Sequence, residues 1–529
     1  MRTPCDEAVV RSAGAEVPSA TGAGTWVLVA TVLGSSMAFI DSTVVNVALP
    51  AIQANFHATV TDLQWVVESY GLFLGALILV GGSLGDLFGR RRVFLVGVAS
   101  FAVASAFCGA AANVHQLILA RSIQGIGAAL LVPGSLAIIS TAFDEKGRGQ
   151  AIGTWSGFTA ITTAIGPVLG GWLVQHASWR WAFFINLPLA AAVIAISLWR
   201  IPESRSASAG RVDSLGALLA TIGLGALVAA FIESVHAGWR NPLIFGGWMV
   251  GFGCLMAFVF LENKVASPML PLPLFKSSSF TGANLLTLLL YAAIGIFFFL
   301  FPLNLIQVQG YSTTAAGAAV LPLILLMFFL SRWSGGLVAR YGPTVPLISG
   351  PLIAALGFAL FAVPSVGDSY WKAFFPPVIV LGFGMAVTVA PLTTVVMNSV
   401  NQDRVGAASG VNNAVARVAG VLAIAVLGIV MVKVFGSHLN SSLAHLSLPL
   451  AIVRELHAEE IKLAGLQVPA ALDPTTRTAI KEAVKEAFVS GFRIVMLICS
   501  CFSVASAAVA WLMIRKDSDR PRRAGEILT

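Results

Sequence analysis

Asp41 stands within LGSSMAFIDSTVVNVALP (33–50), where every other residue is uncharged, and it is the only charge between Trp26 and Leu49. At the ~1.5 Å rise of a helix that run is long enough to cross a bilayer. An ionised group at such depth costs roughly 2.5–3.5 kcal/mol on insertion scales, so it is expected to face a partner or a wet cavity. A lone acid there suits carrying a proton or holding a cation. Two further charges lie at comparable depth. Glu68 and Arg121 fall roughly 8–9 Å, and Asp41 roughly 12 Å, from the same membrane face by the helical rise. Arginine keeps its proton, so its approach favours an ionised carboxylate, whereas loss of water favours the neutral one. A change of access that alters which influence wins would load a proton on one side and release it on the other. Asp41 is the expected proton site and Arg121 its charge partner. Glu68 is a second carboxylate for coupling or for a cationic substrate.

The elements that must position these groups are membrane helices. The chain of 529 residues is 57% hydrophobic and 11% charged, with mean hydropathy +0.87. That balance, with the apolar residues in repeated blocks, excludes an ordinary soluble domain. Fourteen apolar stretches are expected, near 26–49, 63–84, 93–111, 115–142, 150–174, 180–199, 213–234, 243–261, 281–307, 313–339, 344–364, 373–399, 405–435 and 488–514. The net charge of +8 is not a nucleic-acid signal, because Lys and Arg collect at alternate helix ends. Arg90–Arg92, Lys146, Arg148, Arg200, Arg205, Arg211, Lys264, Lys276, Arg340 and Arg404 lie on one side. Short loops on the other hold Arg180, Arg240 and Lys372. The positive-inside rule then puts both termini in the cytoplasm. The five cysteines have no metal-ligand spacing and read as free packing thiols.

The chain also repeats itself. GSLGDLFGRRRVFLVG (82–97) follows the second stretch and GLVARYGPTVPLISG (336–350) the tenth, with Ala339 where the first copy has Asp86. A duplicated six-helix unit with two helices inserted between the copies follows from this, and such repeats mark secondary transporters. The expected divisions are a disordered tail at 1–24, an N-terminal bundle at 25–200, a two-helix insert with linkers at 201–270, a C-terminal bundle at 271–515 and a second tail at 516–529. An outer loop at 436–487 reads as two amphipathic helices, the second opening at Asp473-Pro474, where Asp caps and Pro fits the first turn.

With these motifs in order the chain resembles the major facilitator superfamily, and within it the fourteen-span drug:proton antiporters. FIDSTVVNVALP is similar to that family's first-helix motif and GSLGDLFGRRR to the superfamily's cytoplasmic loop motif. LILARSIQGIGAALLVP (117–133) resembles the fourth-helix motif and IGPVLGGWL (165–173) the fifth-helix antiporter motif. SWRWAFFINLP (178–188) resembles the start of span six. One departure is Ala160 and Ile161 where the fifth-helix motif has an upstream glycine. The resemblance implies an all-α fold of fourteen transmembrane helices, two pseudo-symmetric six-helix bundles plus two inserted helices. It also implies a conformational switch at Gly82, Asp86, Gly89, Arg90 and Arg91, with Asp86 meeting a helix terminus and charges of the other half. Gly166, Pro167, Gly170 and Gly171 would let neighbouring helices approach closely and seal the outer route.

In the C-terminal half the candidates for a substrate cavity are Arg332, Arg417, Asn284, Asn412 and Asn413, with no mid-helix acid among them. Phe297–Phe299 would line an apolar pocket or, as Phe runs in spanning helices more often do, face lipid or core. No phosphate-cradling glycine loop and no nucleophile–base pair is evident, so neither ATP-driven export nor a lipid-modifying enzyme is expected. The expected function is proton-coupled antiport of small amphipathic drugs across the inner membrane. The alternative is a dedicated carrier of a siderophore, organic acid or lipid. The proton gradient serves as energy source, with no cofactor or metal. The expected partners are a small-molecule substrate and the bilayer, not nucleic acid, for a monomer.

Overall fold

The computed structural model describes residues 23–143, 145–205, 213–238, 240–265, 268–400, 405–446, 448–469 and 472–514. The two expected tails lie outside the described residues, except that 23 and 24 already belong to the first helix. Among the described residues all regular structure is helical. The long helices are α1 (Ala23–Phe56), α2 (Val60–Phe88), α3 (Arg90–Ala110), α4 (Val114–Ala142), α5 (Glu145–His176), α6 (Asn186–Arg200), α7 (Ser214–Ala237) and α8 (Pro242–Glu262). They continue as α9 (Ser278–Leu303), α10 (Leu321–Tyr341), α11 (Thr344–Leu360), α12 (Phe375–Asn398), α13 (Val405–Ala444) and α14 (Pro474–Val509). Twelve described helices are long and apolar enough to cross a membrane. Helix α5 and the 17-residue α11 occupy the other two expected stretches.

The helix boundaries follow local chemistry. Thr59 and Asp62 form a reciprocal capping box at the start of α2, with Thr59 N–H donating to Asp62 Oδ2 at 2.8 Å and Asp62 N–H to Thr59 Oγ1 at 3.1 Å. Asn113 caps α4, accepting from Gln116 N–H at 2.9 Å. Asn241 caps α8 ahead of Pro242. Between α2 and α3 the chain turns on Gly89 at φ +112°, a conformation side chains rarely adopt.

Helices α1–α6 form one unit, its core built around Phe94, Phe101, Leu131 and Val193. Helices α9–α14 form the second, whose core contains Phe297, Phe299, Phe301, Phe358, Phe361 and Phe374. The phenylalanine run of α9 is therefore packing material: the Phe297 ring lies 4.9 Å from those of Phe301 and Phe361. Between the units, α7 packs on both α2 and α13, through Val228 and Ile232 against Val421 and Ala425. Its hairpin partner α8 buries only Ile244, Gly251 and Glu262. We call the end carrying Arg90–Arg92 the basic face and the end carrying residues 448–469 the distal face.

Several expected boundaries move. The expected tenth stretch is broken into a short helix, Thr313–Ala318, and α10, and α9 continues as a π-helical turn over Asn304–Val308. At the distal face α13 runs to Ala444 and α14 begins at Pro474, so long helices take up both ends of the expected outer loop. What remains holds the helix Leu450–Glu459 and a 3₁₀ turn, Glu460–Gly465, broken at Leu463 with φ +50°. The cysteines described are free; Cys499 is buried and Cys501 exposed, as their two-residue spacing requires.

Candidate functional site

Ser42 and Thr43, beside Asp41 in sequence, donate their hydroxyls to carbonyls of their own helix, at 2.9 Å to Phe39 O and Ile40 O respectively. Asp41 must therefore find donors elsewhere, and α4 supplies both. Arg121 Nη1 donates to Asp41 Oδ2 in a short ion pair, and Gln124 Nε2 donates to Asp41 Oδ1 at 2.8 Å. Asp41 is 0% and Arg121 1% exposed, so the pair is shielded from water. The guanidinium is held further by Val66 O at 3.1 Å, by Gln124 Oε1 at 2.6 Å, and over the Tyr70 ring at 4.2 Å. Tyr70 in turn donates its hydroxyl to Ala38 O at 3.3 Å. Behind the pair, Gln124 Nε2 and Asn186 Nδ2 both donate to Ser105 Oγ, at 2.7 and 3.2 Å. Five helices, α1, α2, α3, α4 and α6, thus meet at one buried charge pair.

Depth alone placed Glu68 with these two, but in the fold Glu68 turns away from them. Gln64, Glu68, Gly71 and Gly75 share one side of α2 by helical spacing. That side faces α13: Gln64 Nε2 donates to Ile424 O at 3.0 Å. Side chains added at Gly71 and Gly75 would meet Val421 and Arg417. Trp65 and Leu72, flanking the same stripe, meet α7, with Trp65 Nε1 donating to Glu233 Oε1 at 3.0 Å. Glu68 therefore sits in the seam of α2, α7 and α13. It is 0% exposed, and neither carboxyl oxygen has a hydrogen-bond partner among the described residues.

At the basic face Asp86 accepts from Arg90 Nε at 2.9 Å and Nη2 at 2.7 Å. The partner of the switch turn is Glu203 of the same unit, which the sequence reading missed. Its carboxylate accepts the backbone N–H groups of Arg91 and Arg92 at 3.1 and 3.2 Å, capping α3. Arg90 N–H donates to Ser204 O at 2.9 Å. A side chain at Gly89 would strike Glu203, whereas one at Gly82 would meet only Pro133 at 3.8 Å. Gly81 is the tighter position, against the backbone of Ala129.

The glycine patch of α5 has two faces. Gly166 and Gly170 abut Thr43 and Val44 of α1, while Gly171 touches the backbone of Thr313 and Thr314 in the other unit. Thr313 Oγ1 donates to Gly171 O at 2.9 Å and Thr314 Oγ1 to Gln175 Oε1 at 2.6 Å. Reciprocally, a side chain at Gly317 would strike the carbonyl of Pro167. Nearby, Gln307 Nε2 donates to Gln53 Oε1 at 2.7 Å, and Gln53 Nε2 to Lys462 O at 3.1 Å. The described side-chain hydrogen bonds between the units, that of Gln64 included, fall in the distal part of the molecule.

The C-terminal candidates separate. Asn412 Nδ2 donates to Thr287 Oγ1 at 2.7 Å and to Asn284 Oδ1 at 3.2 Å, so these two asparagines clamp α9 to α13. Asn413 is exposed and donates to Ser409 O on its own helix at 3.0 Å. Arg417 lies over the Phe39 ring of α1, 5.9 Å from its centroid. The side chain of Arg332 lies outside the described residues.

The family model of the Major Facilitator Superfamily matches residues 31–214 and 211–424. The chain belongs to the major facilitator superfamily. It is a multi-pass membrane transporter and not an enzyme. It is 34% identical to the multidrug resistance protein Stp of Mycobacterium tuberculosis, over 93% of this chain and 92% of the relative. It is 32% identical to the tetracenomycin C resistance and export protein of Streptomyces glaucescens, over the same shares of 93% and 92%. The facilitator fold is matched, at TM-score 0.64 and 18% identity, by a bacterial homolog of the human lysosomal transporter Spinster in an inward-facing, occupied conformation. That match covers 96% of this chain and 100% of the other.

Proposed function

We propose that this chain is a fourteen-span, proton-coupled antiporter that exports small amphipathic toxic compounds by alternating access, with both termini cytoplasmic in a bacterial inner membrane. The observation that carries the reading is the Asp41–Arg121–Gln124 cluster. A carboxylate is held in a helix otherwise without charge, and its counter-charge is tethered to two other groups that persist when the pair separates. A proton arriving from the distal side takes the place of Arg121 at Asp41; closure of that side and re-formation of the pair return it to the cytoplasm. Arg121 stays charged throughout, and Val66 O, Gln124 and the Tyr70 ring keep it in place while Asp41 is neutral. Glu68, in the seam between the units, is the second carboxylate, and water or a cationic substrate reaching that seam alters its hold on a proton. The Asp86–Arg90 turn and the glycine patch set which face is open. Relatives named for drug resistance and export support the substrate class.

The test is proton movement in proteoliposomes under an imposed pH gradient, for wild type and Asp41→Asn, with cationic, neutral and anionic amphiphiles supplied in turn. Substrate-dependent proton flux in wild type, lost in the variant, is expected. Uphill export that persists in Asp41→Asn would sink the assignment. Absence of flux with every compound from folded wild type would favour a dedicated metabolite carrier.

A further inference from the structure

Two acids outside this machinery meet at the foot of the inserted hairpin. Asp213 is the cap of α7, its Oδ1 accepting from Gly216 N–H at 2.8 Å. The second oxygen lies over Gly216, where any side chain would collide with it. Glu262 ends α8, and its Oε2 accepts from Leu270 N–H at 3.0 Å, anchoring the strand of chain that leads to α9. Among the described residues the remaining oxygens, Asp213 Oδ2 and Glu262 Oε1, have no donor, although the two acids are only 8% and 3% exposed. Helices α7 and α8 pack on one another as a hairpin, which brings the start of the first and the end of the second, with their two carboxyl groups, to the same end of the pair.

We propose that Asp213 and Glu262 share a single proton, making a proton-binding staple that fastens the α7–α8 hairpin at the basic face. Two buried carboxylates in contact repel one another, and each would keep an oxygen stripped of water and unbonded. One proton between them removes the repulsion and satisfies both oxygens together. Among the described residues, the charged groups on the surrounding elements do not substitute for it. Lys264 is turned onto the Phe260 ring, with Nζ 4.1 Å from its centroid, and Lys276 closes the 3₁₀ turn Leu272–Lys276. Neither pairs with these acids among the described residues. The staple joins the start of α7, the end of α8 and the chain leaving toward the second unit. Losing the proton would therefore free the hairpin at the point where it enters and leaves the molecule. Since α7 touches α2 and α13, cytoplasmic alkalinity would loosen a helix that packs on both units.

Full-length protein in lipid nanodiscs tests this without reference to transport. Infrared difference spectra across an alkaline titration should show a protonated-carboxyl carbonyl band that is lost in Glu262→Gln and in Asp213→Asn. The thermal midpoint should fall with rising pH in wild type, because the native state then holds a proton the unfolded chain has released. That step should be absent in both variants. Asparagine remains a good helix cap, so Asp213→Asn keeps α7 intact and serves if Glu262→Gln does not fold. Carbonyl bands and pH profiles in the variants that superimpose on wild type would overturn the proposal. So would stabilisation by calcium or magnesium at alkaline pH that Glu262→Gln abolishes, since the pair would then hold a metal ion.

Discussion

Arg121 is bound to Asp41 where no water screens either charge, so removing one partner leaves the other stranded. Arg121→Ala is expected to lower stability by about 3–5 kcal/mol. The neutral pair Asp41→Asn with Arg121→Gln should recover most of that loss while remaining inactive in proton flux. Chemical unfolding in detergent, with flux measured alongside, checks both; an Arg121→Ala protein as stable as wild type would show that the pair contributes nothing net. The two charges were legible in the sequence because apolar helices make ionisable residues conspicuous. Their companions were not. Gln124, Ser105 and Asn186 are neutral residues of a kind common in such helices, and they converge only because α3, α4 and α6 are rotated to face one another. Glu68 teaches the same lesson in reverse. Rise per residue gives a side chain's depth, but its bearing around the helix depends on the neighbours, which chain position does not reveal.

Helices were more legible than side chains, since each expected apolar stretch holds a described helix. Breaks were harder to see. Nothing in the composition of 304–320 marks the π-helical turn or the interruption before Leu321; between them the segment bonds to Ser365 and to Gly171 of α5. The opening of α14 at Asp473-Pro474 was legible, because a capping acid before proline has a specific local geometry. Asp473 accepts from Thr476 N–H at 2.7 Å, and that bond holds its carboxyl below the usual carboxylate range. Its contribution is thus complete above the unfolded value of about 3.9 and disappears as pH falls through the lower folded one. Amide exchange in the first turn of α14, corrected for intrinsic rates, should quicken over that acidic window. Asp473→Ala should exchange quickly at every pH and Asp473→Asn slowly at every pH. A wild-type rate indifferent to acid would mean that the cap does not hold the turn.

Across the whole molecule, the two units meet backbone to backbone at Gly171 and Gly317 on the distal side, contacts that a single methyl group would separate. Gly171→Ala is expected to shift the population toward a distal-open form. Spin labels at His176 and Ser312 should report a longer-distance component in the variant; identical distributions would show that the glycine contact does not control closure. The repeated turn motif led to the expectation of two units with an insert between them, but not to the place where the inserted helices pack. Helix α7 lies along the boundary of α2 and α13, whereas on the far side the units meet directly, α5 packing against the Thr313–Ala318 segment and α10. The protein consequently presents two unlike flanks to the membrane. A compound dissolved in lipid would meet the inserted hairpin on one flank of the junction and the two units themselves on the other.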